Sequence, residues 1–99
     1  MSESIFDLAY EKAIAHYREC VLGVFRDINA ENPTEDFDLL HRASSRALEL
    51  HFNSLKLAEK VWAKSISYEK AEKSLAAQFP EFSAEVVGRA LGAAYVKAR

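Results

Sequence analysis

The sequence predicts an all-α protein, in which a shorter helical hairpin packs on a long antiparallel helical hairpin. Apolar side chains recur at helical spacing along nearly the whole chain. With only 3 Gly and 2 Pro in 99 residues, the chain lacks the turn residues that a β fold needs. The stretch from Phe37 to Ile66 carries an apolar arc of roughly 220°, whereas a helix on a single layer needs about 100°. We therefore expect a central helix with neighbours on two or three sides.

The first element is predicted as one long helix over residues 4 to 29, with Ser4 placed to cap its first turn. Its apolar side chains share one arc of the helical wheel: Phe6, Tyr10, Ala13, Ile14, Tyr17, Cys20, Val21, Val24 and Ile28. Cys20 lies on this arc without an adjacent cation, which predicts a buried structural thiol.

The central helix is predicted over residues 34 to 65. Asn32 as its N-cap, with Pro33 in the first helical position, gives a coherent start. Thr34 as the N-cap is the alternative. Because the connection is short, the first two helices should be antiparallel. Trp62 lies on the apolar arc, so we expect it to be a core anchor.

Two shorter helices are predicted over residues 68–79 and 83–97, capped by Ser67 and Ser83. Pro80 disfavours a helical conformation in the residue before it and should end the first of them. With the long hairpin, they make a single four-helix domain over residues 1–99.

The last helix contains two features that predict close packing. Phe82 and Val87 are placed for a hydrophobic staple across the N-cap. Gly88 and Gly92 share one flank of the helix, although glycine costs about 0.5–1 kcal/mol there relative to alanine. We therefore expect another helix to pack against that flank.

Composition excludes several classes of protein. The formal net charge is -2, so no strong field favours nucleic acid or an anionic membrane. Charged residues interrupt every apolar run well short of the ~18 residues of a membrane span. Cys20 is the only cysteine, so no internal disulfide is possible and no oxidising compartment is required. We expect a cytoplasmic protein without a membrane span or a leader.

Catalytic and metal-binding chemistry is sparse. His51 lies within the apolar arc, either as a proton acceptor or pH switch or as a core histidine bonded to a hydroxyl such as that of Ser44. The segments 38–41 and 16–19 resemble the Glu-x-x-His pairs of carboxylate bundles, but they lie on polar faces. No phosphate loop or catalytic triad pattern is present. We predict no enzyme, no cofactor and no metal, and we favour the structural role for His51.

By elimination, the sequence predicts a small interaction or regulatory protein that acts through helix faces. One hairpin partner covers only part of the central arc, which leaves apolar side chains on its flanks and on the first helix: Leu39, Phe52, Leu57, Leu22 and Phe25. Contiguous apolar surface usually marks an interface, and two-fold pairing is the commonest way to bury it. A homodimer is expected. The chain would be a monomer if the short hairpin covered more of the arc.

The alternative is a DNA-binding regulator that uses the last two helices as a helix-turn-helix. Its DNA contacts would be Arg89, Lys97 and Arg99. Glu81 and Glu85 would meet phosphates with the wrong sign of charge. Nucleic acid is therefore the less favoured partner.

Overall fold

The computed structural model describes residues 4–15 and 20–98, which form five α-helices and no strand. The helices are α1 (Ile5–Ala15), α2 (Val21–Glu31), α3 (Phe37–Trp62), α4 (Tyr68–Gln78) and α5 (Ala84–Ala98). Helix α3 is the longest and packs with α1, α2 and α5. The predicted all-α fold is confirmed.

The chain divides into two compact units between Glu49 and Leu50, within α3. The first unit contains α1, α2 and the first half of α3, and the second contains the rest of α3 with α4 and α5. The single domain expected over residues 1–99 stays a prediction.

Two helices replace the single helix predicted over residues 4–29. Helix α1 ends at Ala15, and α2 begins at Val21 after Cys20, whose backbone is extended (φ -131°, ψ 147°). Two short helices can pack against each other, which one straight helix cannot do with its own apolar face. An ion pair of 3.0 Å between Lys12 and Glu31 links them. Cys20 is exposed, so the prediction of a buried thiol is wrong.

Buried side chains of α1, α2 and α3 form the core of the first unit: Ala9, Tyr10, Ala13, Val24, Ile28, Leu40, Ala43, Ala47 and Leu48. The N-cap at Ser4 is confirmed, because its Oγ accepts a hydrogen bond from the Asp7 N–H at 3.1 Å. The Arg42 guanidinium lies 5.9 Å from the centre of the Phe6 ring, which joins α3 to α1. Helix α3 thus begins in contact with both of its predecessors.

Asn32 ends α2 instead of starting the central helix. Its backbone N–H donates to the Ile28 carbonyl at 3.0 Å, and its side-chain amide donates to the same oxygen at 3.2 Å. The next residues form a turn closed by the Glu35 N–H and the Asn32 carbonyl at 3.2 Å. Pro33 occupies the second position of this turn, where its fixed φ is favourable. Proline here therefore serves the turn and not the first helical position.

Helix α3 begins at Phe37, three residues after the predicted start. Asp36 caps it: one side-chain oxygen accepts from the Asp38 N–H at 3.1 Å, and its carbonyl accepts from the Leu40 N–H at 3.0 Å. Asparagine, threonine and aspartate are all good capping residues. Because the turn occupies residues 32–35, neither Asn32 nor Thr34 is the cap.

The end of α3 is a Schellman motif. The Ser65 N–H donates to the Lys60 carbonyl at 2.9 Å, and the Lys64 N–H donates to the Val61 carbonyl at 3.0 Å. Lys64 has a φ of 62°, the left-handed conformation that this motif requires and that glycine usually supplies. The helix therefore stops at Trp62, earlier than the predicted residue 65.

The C-terminal hairpin forms as predicted. Ser67 caps α4 by accepting from the Lys70 N–H at 3.2 Å, and Ser83 caps α5 by accepting from the Val86 N–H at 3.2 Å. The predicted staple pair, Phe82 before the cap and Val87 in the first turn, is buried together with Phe79, Leu75 and Leu91. The rings of Phe79 and Phe82 meet edge to face at 6.1 Å.

The glycine flank of α5 faces α4, as expected. A Cβ atom at Gly88 would lie 3.8 Å from Glu72 Oε2, and one at Gly92 would lie 3.6 Å from the Tyr68 hydroxyl oxygen. These are ordinary van der Waals distances to the ends of side chains. The neighbours of the glycines are thus side chains of α4 and not its backbone.

Candidate interaction surfaces

The five apolar residues predicted for an interface differ in exposure. Leu22 is 58% exposed and Phe52 is 46% exposed. Leu39, Phe25 and Leu57 are half-buried. Of the five, Leu22 and Phe25 lie one turn apart on α2 and share a flank of that helix.

An apolar patch in the first unit comprises Leu22, Phe25 and Phe37. The Phe25 ring meets the Phe37 ring edge to face, with 5.7 Å between centres, and lies 6.4 Å from the His41 ring. Phe37 is 63% exposed. The helical-wheel prediction placed Phe37 on the apolar arc of the central helix, which neighbouring helices should cover. As the first residue of α3, however, Phe37 has no preceding turn of that helix beside it. The apolar patch therefore joins the start of α3 to α2.

An acidic segment, residues 35–38, surrounds Phe37. Glu35, Asp36 and Asp38 are all exposed, and none of their carboxylates forms an ion pair with a residue that the structure describes. The Asp36 carboxylate caps α3 through the Asp38 N–H. The acidic segment thus presents three carboxylates around one exposed aromatic ring.

A basic pocket in the second unit lies where α3 gives way to α4. It is an open cavity of about 940 Å³, and three lysines, Lys60, Lys64 and Lys70, contribute to its lining with the apolar Val61 and Ile66. None of the three ammonium groups has a carboxylate partner within residues 4–15 and 20–98. The pocket combines positive charge with an apolar wall.

The two units carry opposite charge. Residues 1–49 contain ten acidic and five basic side chains, and residues 50–99 contain five acidic and eight basic ones. The formal charges are thus -5 and +3, which make up the -2 of the whole chain. The near-neutral total conceals this asymmetry, and separate counts for the two halves would have revealed it in the sequence.

Trp62, Tyr68 and Tyr95 form an aromatic cluster in the second unit. The Trp62 indole stacks on the Tyr95 ring with 4.6 Å between centres and 12° between planes, and its N–H donates to the Tyr95 carbonyl at 2.7 Å. Tyr68 meets Tyr95 edge to face at 5.3 Å. Trp62 is 40% exposed, so the prediction of a buried core anchor is wrong. Because α3 ends at Trp62, no further turn of that helix helps to cover its ring.

The hydroxyl group of Tyr68 lies in an environment that perturbs its ionisation. Burial raises the pKa of its hydroxyl above the ordinary 10.0, and the nearby Glu72 carboxylate and Tyr95 raise it further. Each factor disfavours the phenolate. Tyr68 is thus held neutral, as a packing group of the aromatic cluster.

Ser44, His51 and the possible metal ligands were the other candidates for chemistry. The Ser44 hydroxyl donates to the Leu40 carbonyl at 2.8 Å, not to His51. His51 is half-buried, and its ring lies 5.2 Å from that of Phe52. Within the described part of the chain, no three His, Cys, Asp or Glu side chains cluster as metal ligands would. In that same part, no helix has the length and apolar character needed to cross a membrane.

The residues proposed for DNA contact are only partly placed. Arg89 and Lys97 are exposed on α5, whereas Arg99 lies outside the described residues. Val86 and Val87 in the first turn of α5 are buried. A recognition helix reads bases with its N-terminal residues, and here two of them belong to the core.

The chain matches no protein-family model, and neither curated proteins nor solved structures give a match.

Proposed function

We propose that the protein is a non-enzymatic interaction module that self-associates through its helix faces, and that the apolar patch is the main contact. The observation that carries this proposal is Phe37, which is 63% exposed and whose ring packs on that of Phe25, one helical turn from the 58% exposed Leu22. Large apolar and aromatic side chains are enriched at the centres of interfaces, where burial stabilises them. A cytoplasmic location suits a chain that needs no disulfide.

A second copy is the partner that we favour. Most soluble oligomers are homo-oligomers, and a closed two-fold pair is the commonest arrangement. Fully burying a phenylalanine side chain contributes about 1.5–3 kcal/mol. Two copies of such a contact in one dimer contribute about 3–6 kcal/mol. Micromolar association needs about 8 kcal/mol, so neighbouring contacts must supply the rest.

Substitution of Phe37 tests the proposal against a matched control. Phe37→Ser removes a 63% exposed apolar side chain from the apolar patch, and Val96→Ser removes a 62% exposed one from α5. Sedimentation velocity at several concentrations should show a dimer for the wild type and Val96→Ser, and a dissociation constant raised by about tenfold or more for Phe37→Ser. Equal association of all three proteins would refute a role for the patch, and a monomeric wild type would refute self-association.

A further inference from the structure

We infer that, in the self-associated protein, the acidic segment of one copy docks in the basic pocket of a second copy. The inference rests on the proposed self-association and names the two surfaces that meet. In this arrangement the Phe37 ring lies against the apolar wall of the pocket, and the flanking carboxylates lie against its lysines.

Charge argues against pairing of the apolar patch with itself. A two-fold axis through Phe37 would bring two copies of Glu35, Asp36 and Asp38 together. Like charges that face each other across an interface oppose binding. None of the three carboxylates has a cationic partner among the described residues to offset this repulsion.

The basic pocket supplies what the acidic segment lacks. Lys60, Lys64 and Lys70 offer three ammonium groups without ion pairs to described residues, against three carboxylates in residues 35–38. Val61 and Ile66 line the same cavity and can receive an aromatic ring. Pockets that bind segments of other molecules commonly combine an apolar lining with a few charged groups.

The backbone of Lys64 adds a separate observation. Its φ of 62° is the conformation for which glycine is the usual residue at the end of a helix. A lysine in this position is conformationally disfavoured. Unlike glycine, lysine places a charged side chain beside the pocket.

The two surfaces belong to different copies. Phe37 is the first residue of α3 and belongs to the first unit, whereas Lys60 lies in the last turn of α3 and belongs to the second unit. In the proposed dimer, each copy contributes one acidic segment and one basic pocket. The arrangement makes the same contact twice and closes with two-fold symmetry.

Charge reversal on each side tests the docking. The pocket variant is Lys60→Glu with Lys64→Glu, and the segment variant is Glu35→Lys with Asp38→Lys, which retains the Asp36 cap of α3. Each variant alone should associate at least about tenfold more weakly than the wild type, because like charges then face each other. An equimolar mixture should restore the dimer, because both contacts of the mixed pair again join opposite charges. Sedimentation velocity measures all three, and circular dichroism verifies that each variant is folded.

A control variant, Lys56→Glu with Lys97→Glu, changes the charge of the second unit by the same amount at exposed lysines outside the pocket, and it should associate like the wild type. Three results would overturn the docking: association unaffected by either reversal, a mixture that stays monomeric, or an equal effect of the control. If, in those cases, the wild type still forms a dimer and Phe37→Ser does not, the proposed self-association stands and the docking fails. A monomeric wild type removes both.

Discussion

Trp62 stabilises the second unit through one hydrogen bond and one stacked ring, with 40% of its surface exposed. Trp62→Phe keeps an aromatic ring over Tyr95 and removes the indole N–H, so we expect a loss of about 0.5–1.5 kcal/mol in the free energy of unfolding. Trp62→Ala also removes the stack, which contributes a further 0.5–1.5 kcal/mol or so. Urea unfolding followed by circular dichroism measures both. Equal losses for the two variants would show that the stack contributes nothing.

The raised pKa of Tyr68 predicts a loss of stability in alkali. Well below pH 10, the hydroxyl is neutral in both the folded and the unfolded chain, and its contribution to stability is fully present. As the pH rises past 10.0, the unfolded chain ionises first, so the folded state is progressively disfavoured until the folded pKa is passed. Tyr68→Phe lacks this term. The free energy of unfolding of Tyr68→Phe, relative to that of the wild type, should therefore be higher at about pH 10.5 than at about pH 8. Urea unfolding at the two pH values tests this, and an unchanged difference would contradict the shift.

At the scale of residues, three helix caps were predictable from the sequence, whereas the Asp36 cap of α3 and the exposure of two side chains were not. Ser4, Ser67 and Ser83 each cap the predicted helix, because a cap depends on a hydroxyl and a backbone N–H two or three residues later. The exposure of Cys20 and Trp62 was mispredicted. Both lie where a helix begins or ends, and a helical wheel assumes that the helix continues.

The left-handed backbone conformation of Lys64, just after α3, lowers the stability of the folded chain. Glycine adopts the φ of 62° found at Lys64 without the steric penalty of a side chain, so we expect Lys64→Gly to stabilise the protein by about 0.5–1 kcal/mol. Lys60→Gly is the matched control: it removes the same side chain from a helical position and should destabilise by about 1 kcal/mol. Thermal unfolding at low protein concentration measures both. Destabilisation by Lys64→Gly would show that its side chain matters more to folding than its backbone conformation does.

The glycine flank of α5 distinguishes a small side chain from a large one. Alanine at position 92 places its Cβ 3.6 Å from the Tyr68 hydroxyl oxygen, an ordinary contact. Gly92→Ala should therefore stabilise by about 0.5–1 kcal/mol, through the lower entropy of the unfolded chain. Gly92→Leu should destabilise by about 1–3 kcal/mol, because its longer side chain meets α4. Urea unfolding gives both values. A leucine variant as stable as the wild type would show that α4 can shift to accommodate the larger side chain at little cost.

At the scale of elements, helix type was predictable and helix boundaries were less so. The apolar pattern over residues 4–29 continues in phase across the break before Val21, so periodicity alone gives one helix where there are two. Asn32 is equally suited to end a helix or to begin one. The turn at Pro33 decides between these roles, and it depends on backbone geometry that the residue types permit but do not require.

For the molecule as a whole, the distribution of charge matters more than its total. Because the first unit is acidic and the second is basic, we expect the proposed association between copies to weaken with salt, since exposed charges are screened over about 10 Å at 0.1 M. Leu22 and Phe25, two of the residues predicted for an interface, lie in the apolar patch on which the proposed association rests. The sequence did not suggest the roles that we propose for Phe37 and the pocket lysines, because those roles depend on where α3 begins and ends.

Sedimentation equilibrium of the wild-type protein tests self-association most directly. At micromolar concentration and about 0.05 M salt, where charges are weakly screened, we predict a mass near twice the 11.1 kDa of one chain, falling toward the single-chain mass on dilution or at about 0.5 M salt. A mass of 11.1 kDa at every concentration and salt would contradict the account.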